Sequence, residues 1–437
     1  MKLLLIIFIT VLTDFYYFPI ETVFLPGVNS KMILAAAGLG LVVMNTVKGQ
    51  TGFINWHFLK LTLWALAISL VSLIAITFNN TNDPSFTTYF ISMWVWLAGA
   101  YAVLCCMKWV HGYLSVELVC NYLILVCVSQ CFIAILLDSV PSLNKTISSY
   151  LTGEKFMGGE DLGTRLHGIA CALDVAAIRF SAVLLMIAYW VVKKRRELTP
   201  WQSFLYISSF LLIAVVGNMI GRTVTVGVLL ALAYWIFNVL RGSFSALVTR
   251  QLGGVLLLSV PLLFIGYQTN TNLRKHLRFG FEGFFSLYEK GYWETNSNNI
   301  LKNMVVFPDN AKTWMIGDGY AANPGDKKSP YFDPYYTGKN FHGYYMQTDI
   351  GYLRYIYYFG LIGLVTFMCY FIVAGGICMS NLNRHKHLFL LLLLFNFTVW
   401  LKVSTDIFVV FALFLCISKE EEDEAEQKEL AAVQESF

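Results

Sequence analysis

Residues Phe58 to Phe78 read FLKLTLWALAISLVSLIAITF, and Lys60 is their only charge. A helix of about 20 predominantly apolar residues crosses the ~30 Å hydrocarbon core of a bilayer, so this stretch reads as a membrane span. Similar runs precede it at Leu3 to Tyr16 and Met32 to Val47. Others follow at Thr87 to Met107, Leu114 to Leu137, Val175 to Val192, Phe204 to Ile220, Val224 to Leu240 and Val255 to Tyr267. After a long polar interval come Ile350 to Cys378, Leu388 to Leu401 and Ile407 to Ile417. The expectation is an all-α polytopic membrane protein of about twelve transmembrane helices, some completed by flanking aromatics or neighbours.

Composition agrees. Of 437 residues 57% are hydrophobic and 13% charged, about half the charge of a soluble domain. Aromatics reach 16%, including 24 tyrosines, more than interfacial anchoring requires. The nine cysteines lie in or beside apolar runs without a Cys-x-x-Cys, and read as small buried hydrophobes. Asp14 interrupts the first apolar stretch and no small-x-small cleavage site follows, so it reads as a retained first helix.

Charge sets the orientation. Lys48, Lys108, Lys193 to Arg196, Arg241, Arg250, Arg384 and Lys386 fall on one side of twelve alternating spans, which makes that side cytoplasmic together with both termini. Lys31 is the exception. The opposite side receives Asn79 to Phe86, Asp138 to His167 and the long segment Gln268 to Gln347. The chain thus divides into 1–267 with nine spans and an external loop at 138–167, a large external loop at 268–347, spans ten to twelve at 348–418, and an acidic cytoplasmic tail at 419–437. That tail holds 8 of the 27 acids and 2 of the 31 bases, leaving 29 bases against 19 acids elsewhere. It reads as a solvated, disordered extension.

Chemistry is expected in the long external segment, because loops of that length usually carry function. Arg274 and Arg278 are spaced to share a helical face beside Phe279, Phe281, Phe284 and Phe285, and suit an anionic headgroup or pyrophosphate. Thr313 to Tyr320 reads as a short strand or turn. Tyr331, Tyr335, Tyr336, Tyr344 and Tyr345 give an aromatic density suited to stacking on sugar rings, or to self-packing. Arg165 and Arg222 stand where spans meet the external medium, and Arg222 has scarcely any loop to hold it in water. An ionisable residue at that depth points to function, and a guanidinium clamps phosphate oxygens. His342, Asp349 and Arg354 fall within thirteen residues. Either His342 or Asp349 could deprotonate a hydroxyl, while Asp349 could instead orient the histidine or cap the next span. Nucleotide-binding glycine motifs, His-Glu-x-x-His and Asp-x-Asp metal pairs are absent from the sequence.

The order of Arg165-Leu166-His167-Gly168, Gly221-Arg222-Thr223, Trp314-Met315-Ile316-Gly317-Asp318-Gly319, His342, Asp349-Ile350-Gly351-Tyr352-Leu353-Arg354 and Phe359-Gly360-Leu361-Ile362-Gly363 resembles the Wzy-type O-antigen polymerase and O-antigen ligase superfamily of bacterial inner membranes. The resemblance covers most of the chain in topology. It implies a metal-independent glycosyltransferase of the GT-C class, without a cofactor, acting at the periplasmic face in polysaccharide biosynthesis. Donor and acceptor would be undecaprenyl-pyrophosphate-linked oligosaccharides, with membrane lipid and a chain-length regulator protein as partners and no nucleic acid. Arg165, Arg222, Arg274, Arg278 and Arg354 would hold pyrophosphate, and His342 or Asp349 would be the base. Gly343 stands where the ligases commonly carry Asn after the histidine, and the Asp-Ile-Gly-Tyr-Leu-Arg run looks more like polymerases. Ligase transfer to another acceptor, and transport without catalysis, are the alternatives.

Overall fold

A computed structural model describes residues 2–48, 56–152, 165–242, 246–338 and 343–434. The described residues are 75% helix, with no strand among them. In order the helices are α1 (Lys2–Tyr17), α2 (Ser30–Val47), α3 (Trp56–Asn79), α4 (Tyr89–His111), α5 (Val116–Ser139), α6 (Pro141–Tyr150), α7 (Leu173–Lys193), α8 (Pro200–Ile220), α9 (Val224–Leu240) and α10 (Ala246–Thr269). They continue as α11 (Thr271–Gly280), α12 (Glu282–Lys290), α13 (Asn296–Asn303), α14 (Ala311–Ile316), α15 (Gly351–Asn381), α16 (Lys386–Val399), α17 (Phe408–Leu415) and α18 (Lys419–Gln434).

Each of the twelve apolar segments coincides with a helix, and eight of these helices are long and apolar enough to cross a membrane: α2, α3, α4, α5, α7, α8, α10 and α15. The other four, α1, α9, α16 and α17, are shorter. Helix α7 is the axis of the bundle, buried from Ala176 to Val192 against α5, α8, α9 and α16. By contrast α10 exposes Leu257, Leu258, Leu262 and Phe264, a surface stable against lipid rather than water.

The two ends of α7 lie about 30 Å apart, since each residue rises 1.5 Å. At its Lys193 end the bundle is basic and receives the acidic tail. Here the sequence expectation is corrected: the tail is not an extended polar segment but helix α18, docked on the bundle. Glu421 pairs with Lys108 at 2.7 Å, Glu422 accepts from His385 at 2.8 Å and from the Val116 N–H at 2.8 Å, and Arg384 pairs with Asp423 and Glu426. Four of its acids are paired with basic side chains far away in sequence, which a local charge count does not register.

The opposite end is built from the long segment, which contains α11 to α14. The expected strand or turn at 313–320 is the end of α14 followed by a turn, because Asn310 accepts the Thr313 N–H at 2.8 Å and nucleates one helical turn. That turn docks into a kink in α15. Phe359 and Gly360 leave helical geometry there, freeing the carbonyls of Tyr357 and Tyr358, which accept the N–H groups of Asp318 at 2.6 Å and Gly319 at 3.0 Å. Gly317 and Gly360 both adopt positive φ, and a side chain at either would run into the other segment's backbone.

Candidate functional site

The site forms where α8 turns into α9. Gly221 ends α8 in an extended conformation and only Arg222 and Thr223 precede α9, so Arg222 is held at the mouth of the bundle. The Leu166 N–H donates to the Met219 carbonyl at 3.1 Å, which brings Arg165 to the same place. Helix α11 packs on the end of α8 and supplies Phe279. Both guanidinium groups rest on that ring, Arg165 at 4.8 Å and Arg222 at 4.3 Å from its centroid, and so no more than the sum, 9.1 Å, apart. Cation–π contact supports each charge. Two like charges at that separation still repel by on the order of 2 kcal/mol at an effective dielectric of about 20.

These arginines line a cavity of about 770 Å³ together with Lys275, Arg278, Lys290 and the glutamates 282, 289 and 294. Each glutamate is spoken for: Glu282 pairs with Arg222, Glu289 with Arg278 at 2.7 Å, and Glu294 with Lys290 at 2.6 Å. Among the described residues Arg165 and Lys275 have no carboxylate partner, which leaves the cavity positive. Arg222 is 15% exposed and its buried Nε has no hydrogen-bond partner among the described residues. Burial pulls its guanidinium below the ordinary value, Glu282 opposing and Arg165 assisting. Such a guanidinium has unused capacity for an anion, and the Glu282 carboxylate occupies part of the position that anion oxygens would take.

Beside the cavity runs a second set of charges. Asp174, at the start of α7, accepts from Thr223 Oγ1 at 2.7 Å, and Lys402, after α16, donates to the same hydroxyl at 3.0 Å. Asp349 lies in the field of Arg354, Asp174 and Lys402, with Arg354 Nη1 at 3.5 Å. Burial, aided by Asp174, pushes the Asp349 carboxyl up to about 7 against the pull of Arg354 and Lys402. A carboxyl poised there is matched to general-base work at neutral pH. The start of α15 carries no side-chain cap, so Asp349 is not spent on capping. Arg354 bonds Ser404 Oγ at 2.6 Å and lies 3.8 Å over the Tyr344 ring.

The candidate residues therefore divide. Arg165, Arg222 and Arg278 line the cavity, whereas Asp349, Arg354 and Tyr344 form a separate group, with Asp349 in the field of Asp174 and Lys402. Arg274 is turned away, donating to the carbonyls of Tyr267 at 2.9 Å and Gln268 at 2.8 Å, where it closes the end of α10. Tyr336 and Tyr345 pack edge-on and tilted against Tyr320, so self-packing accounts for them. Tyr331 is half-buried and Tyr335 is 87% exposed. His342 lies outside the described residues. Lys402, Asp174 and Glu282 were missed. Lys402 and Asp174 carry a signal, each a lone charge at a span end on the side opposite the basic loops, whereas Glu282 is one of several charges inside the long segment. Among the described residues no three His, Cys, Asp or Glu side chains gather as metal ligands.

Comparison with family models, with curated proteins and with solved structures finds no match. The functional reading consequently rests on geometry and on the sequence resemblance.

Proposed function

We propose that this chain is a polysaccharide polymerase of the inner membrane, with twelve spans once α1, α9, α16 and α17 are counted, both termini in the cytoplasm and the cavity outside. It transfers a glycan from an undecaprenyl-pyrophosphate donor to a sugar hydroxyl of a lipid-linked acceptor. The acceptor O–H attacks the anomeric carbon, the bond from that carbon to the pyrophosphate oxygen breaks, and the proton passes to Asp349 or His342. Arg165, Arg222 and Arg278 stabilise the charge that develops on the leaving pyrophosphate. The observation that carries this reading is the convergence of Arg165 and Arg222 on Phe279 in a positive cavity, with Lys402 in the field of both arginines and of Asp349. The test is purified protein with a lipid-linked repeat unit. A ladder of products supports polymerase, single transfer to a separate acceptor supports ligase, and no transfer from wild-type protein sinks both.

One observation favours a second reading, transport of a lipid-linked glycan. Arg179 of α7 is only 8% exposed inside the bundle, ringed by Tyr17, Phe18 and Trp96 and in electrostatic range of Asp406, while Lys31 lies 3.9 Å over Trp96. Charges at that depth are typical of transport pathways. Movement of a labelled lipid-linked glycan across proteoliposomes, without product formation, would establish it.

A further inference from the structure

Beneath the Arg222 turn lies a cation that the scheme above leaves unused. Lys402 stands in the segment between α16 and α17, its Nζ donating to Thr223 Oγ1 at 3.0 Å. The Thr223 hydroxyl has one proton, and it goes to Asp174 Oδ1 at 2.7 Å, so the chain of bonds runs Lys402 to Thr223 to Asp174. Thr223 is fully buried and follows Arg222 directly, so the lysine grips the turn that carries the arginine. Four charged groups on separate elements face Lys402: Asp174 at the start of α7, Arg222 in the α8–α9 turn, Asp349 before α15, and Arg165 before α7. The charges facing Asp349 are Arg354, Asp174 and Lys402. Lys402 is thus a cation in the field of both the cavity's arginines and Asp349.

Building on the pyrophosphate reading of the cavity, we propose that Lys402 is a positioning residue that acts through Thr223 to hold the Arg222 turn, and that its charge, not only its hydrogen bond, fits the site to a diphosphate. A neutral donor would preserve the bond to Thr223 but would leave Asp174 without its cation and Asp349 with Arg354 alone, and those carboxylates would then compete for Arg222 and Arg165. Arginine would preserve the charge. Substitution therefore separates a charge role from a simple tether.

The experiment uses the full chain in lipid nanodiscs, with inorganic pyrophosphate as the probe and titration calorimetry at fixed pH and ionic strength. The expected result is that Lys402→Met and Lys402→Gln each weaken pyrophosphate binding about tenfold or more, while Lys402→Arg stays within about threefold of wild type. If Lys402→Met fails to fold, the comparison of Lys402→Gln with Lys402→Arg decides alone. Binding by Lys402→Gln equal to wild type, with binding lost in Arg222→Ala, would overturn the lysine's role and leave the anion site standing. Wild-type protein that does not bind pyrophosphate would overturn both.

Discussion

Gly317 and Gly360, 43 positions apart in sequence, each sit against the other's segment: a Cβ on Gly317 would meet the Tyr358–Phe359 backbone and one on Gly360 the Met315–Ile316 backbone. The contact ties the long segment to α15, because Asp318 and Gly319 donate to the carbonyls that the kink frees. Asp318 then anchors Lys312 at 2.8 Å and the Thr313 hydroxyl at 2.7 Å.

Gly317→Ala or Gly360→Ala should each destabilise the fold by about 1–3 kcal/mol, since both force a side chain into strained, occupied backbone. The double variant should fall short of the sum, because either change alone already separates the two segments. Thermal unfolding in detergent checks this. Fully additive losses would show that the two glycines act independently.

The apolar runs made the helices legible because a span is a local property of twenty residues. The pairing of Trp314 to Gly319 with Phe359 to Gly363 was not legible, although both motifs stood out, since nothing local says that one turn fills the other's kink. Arg165 and Arg222 were readable as charges with no water to live in. Lys402 and Asp174 were passed over because a single charge at a span end looks like ordinary interfacial anchoring, and only the fold brings both onto Thr223. The long segment's tyrosines suggested one surface, and the fold splits them, giving Tyr344 to Arg354 and Tyr345 to Tyr320.

Asp349 predicts a pH dependence. Its carboxyl is pushed up to about 7 by burial, so the proton-accepting form grows only as pH rises through that value. Its stability effect has the matching sign: the contribution is complete below the ordinary aspartate value and is lost as pH rises through about 7. Glycan transfer should show a rising limb centred near pH 7 that disappears in Asp349→Asn. A limb unchanged by that substitution would assign the base elsewhere.

The tail should loosen in acid. Burial works against the charge of Glu422, but the bonds from His385 and the Val116 N–H outweigh it and hold the carboxyl below the ordinary glutamate value, while burial pulls His385 below the ordinary histidine value. Both groups have depressed values, so each contributes above its ordinary value and loses that contribution as pH falls through the folded one. Hydrogen exchange along α18 should therefore speed up as pH drops from about 7 to about 3, after correction for intrinsic rates. Equal protection at both ends of that range would contradict the docking of α18 through Glu422.

The most direct measurement of the central claim is the rate of glycan transfer from a lipid-pyrophosphate donor by purified wild-type, Arg165→Ala and Arg222→Ala protein. Removing either arginine should cost about 2–4 kcal/mol of barrier, roughly 30- to 900-fold in rate, while the protein still inserts and purifies as wild type does. Transfer by both variants within about twofold of wild type would contradict a pyrophosphate site built on Arg165, Arg222 and Phe279.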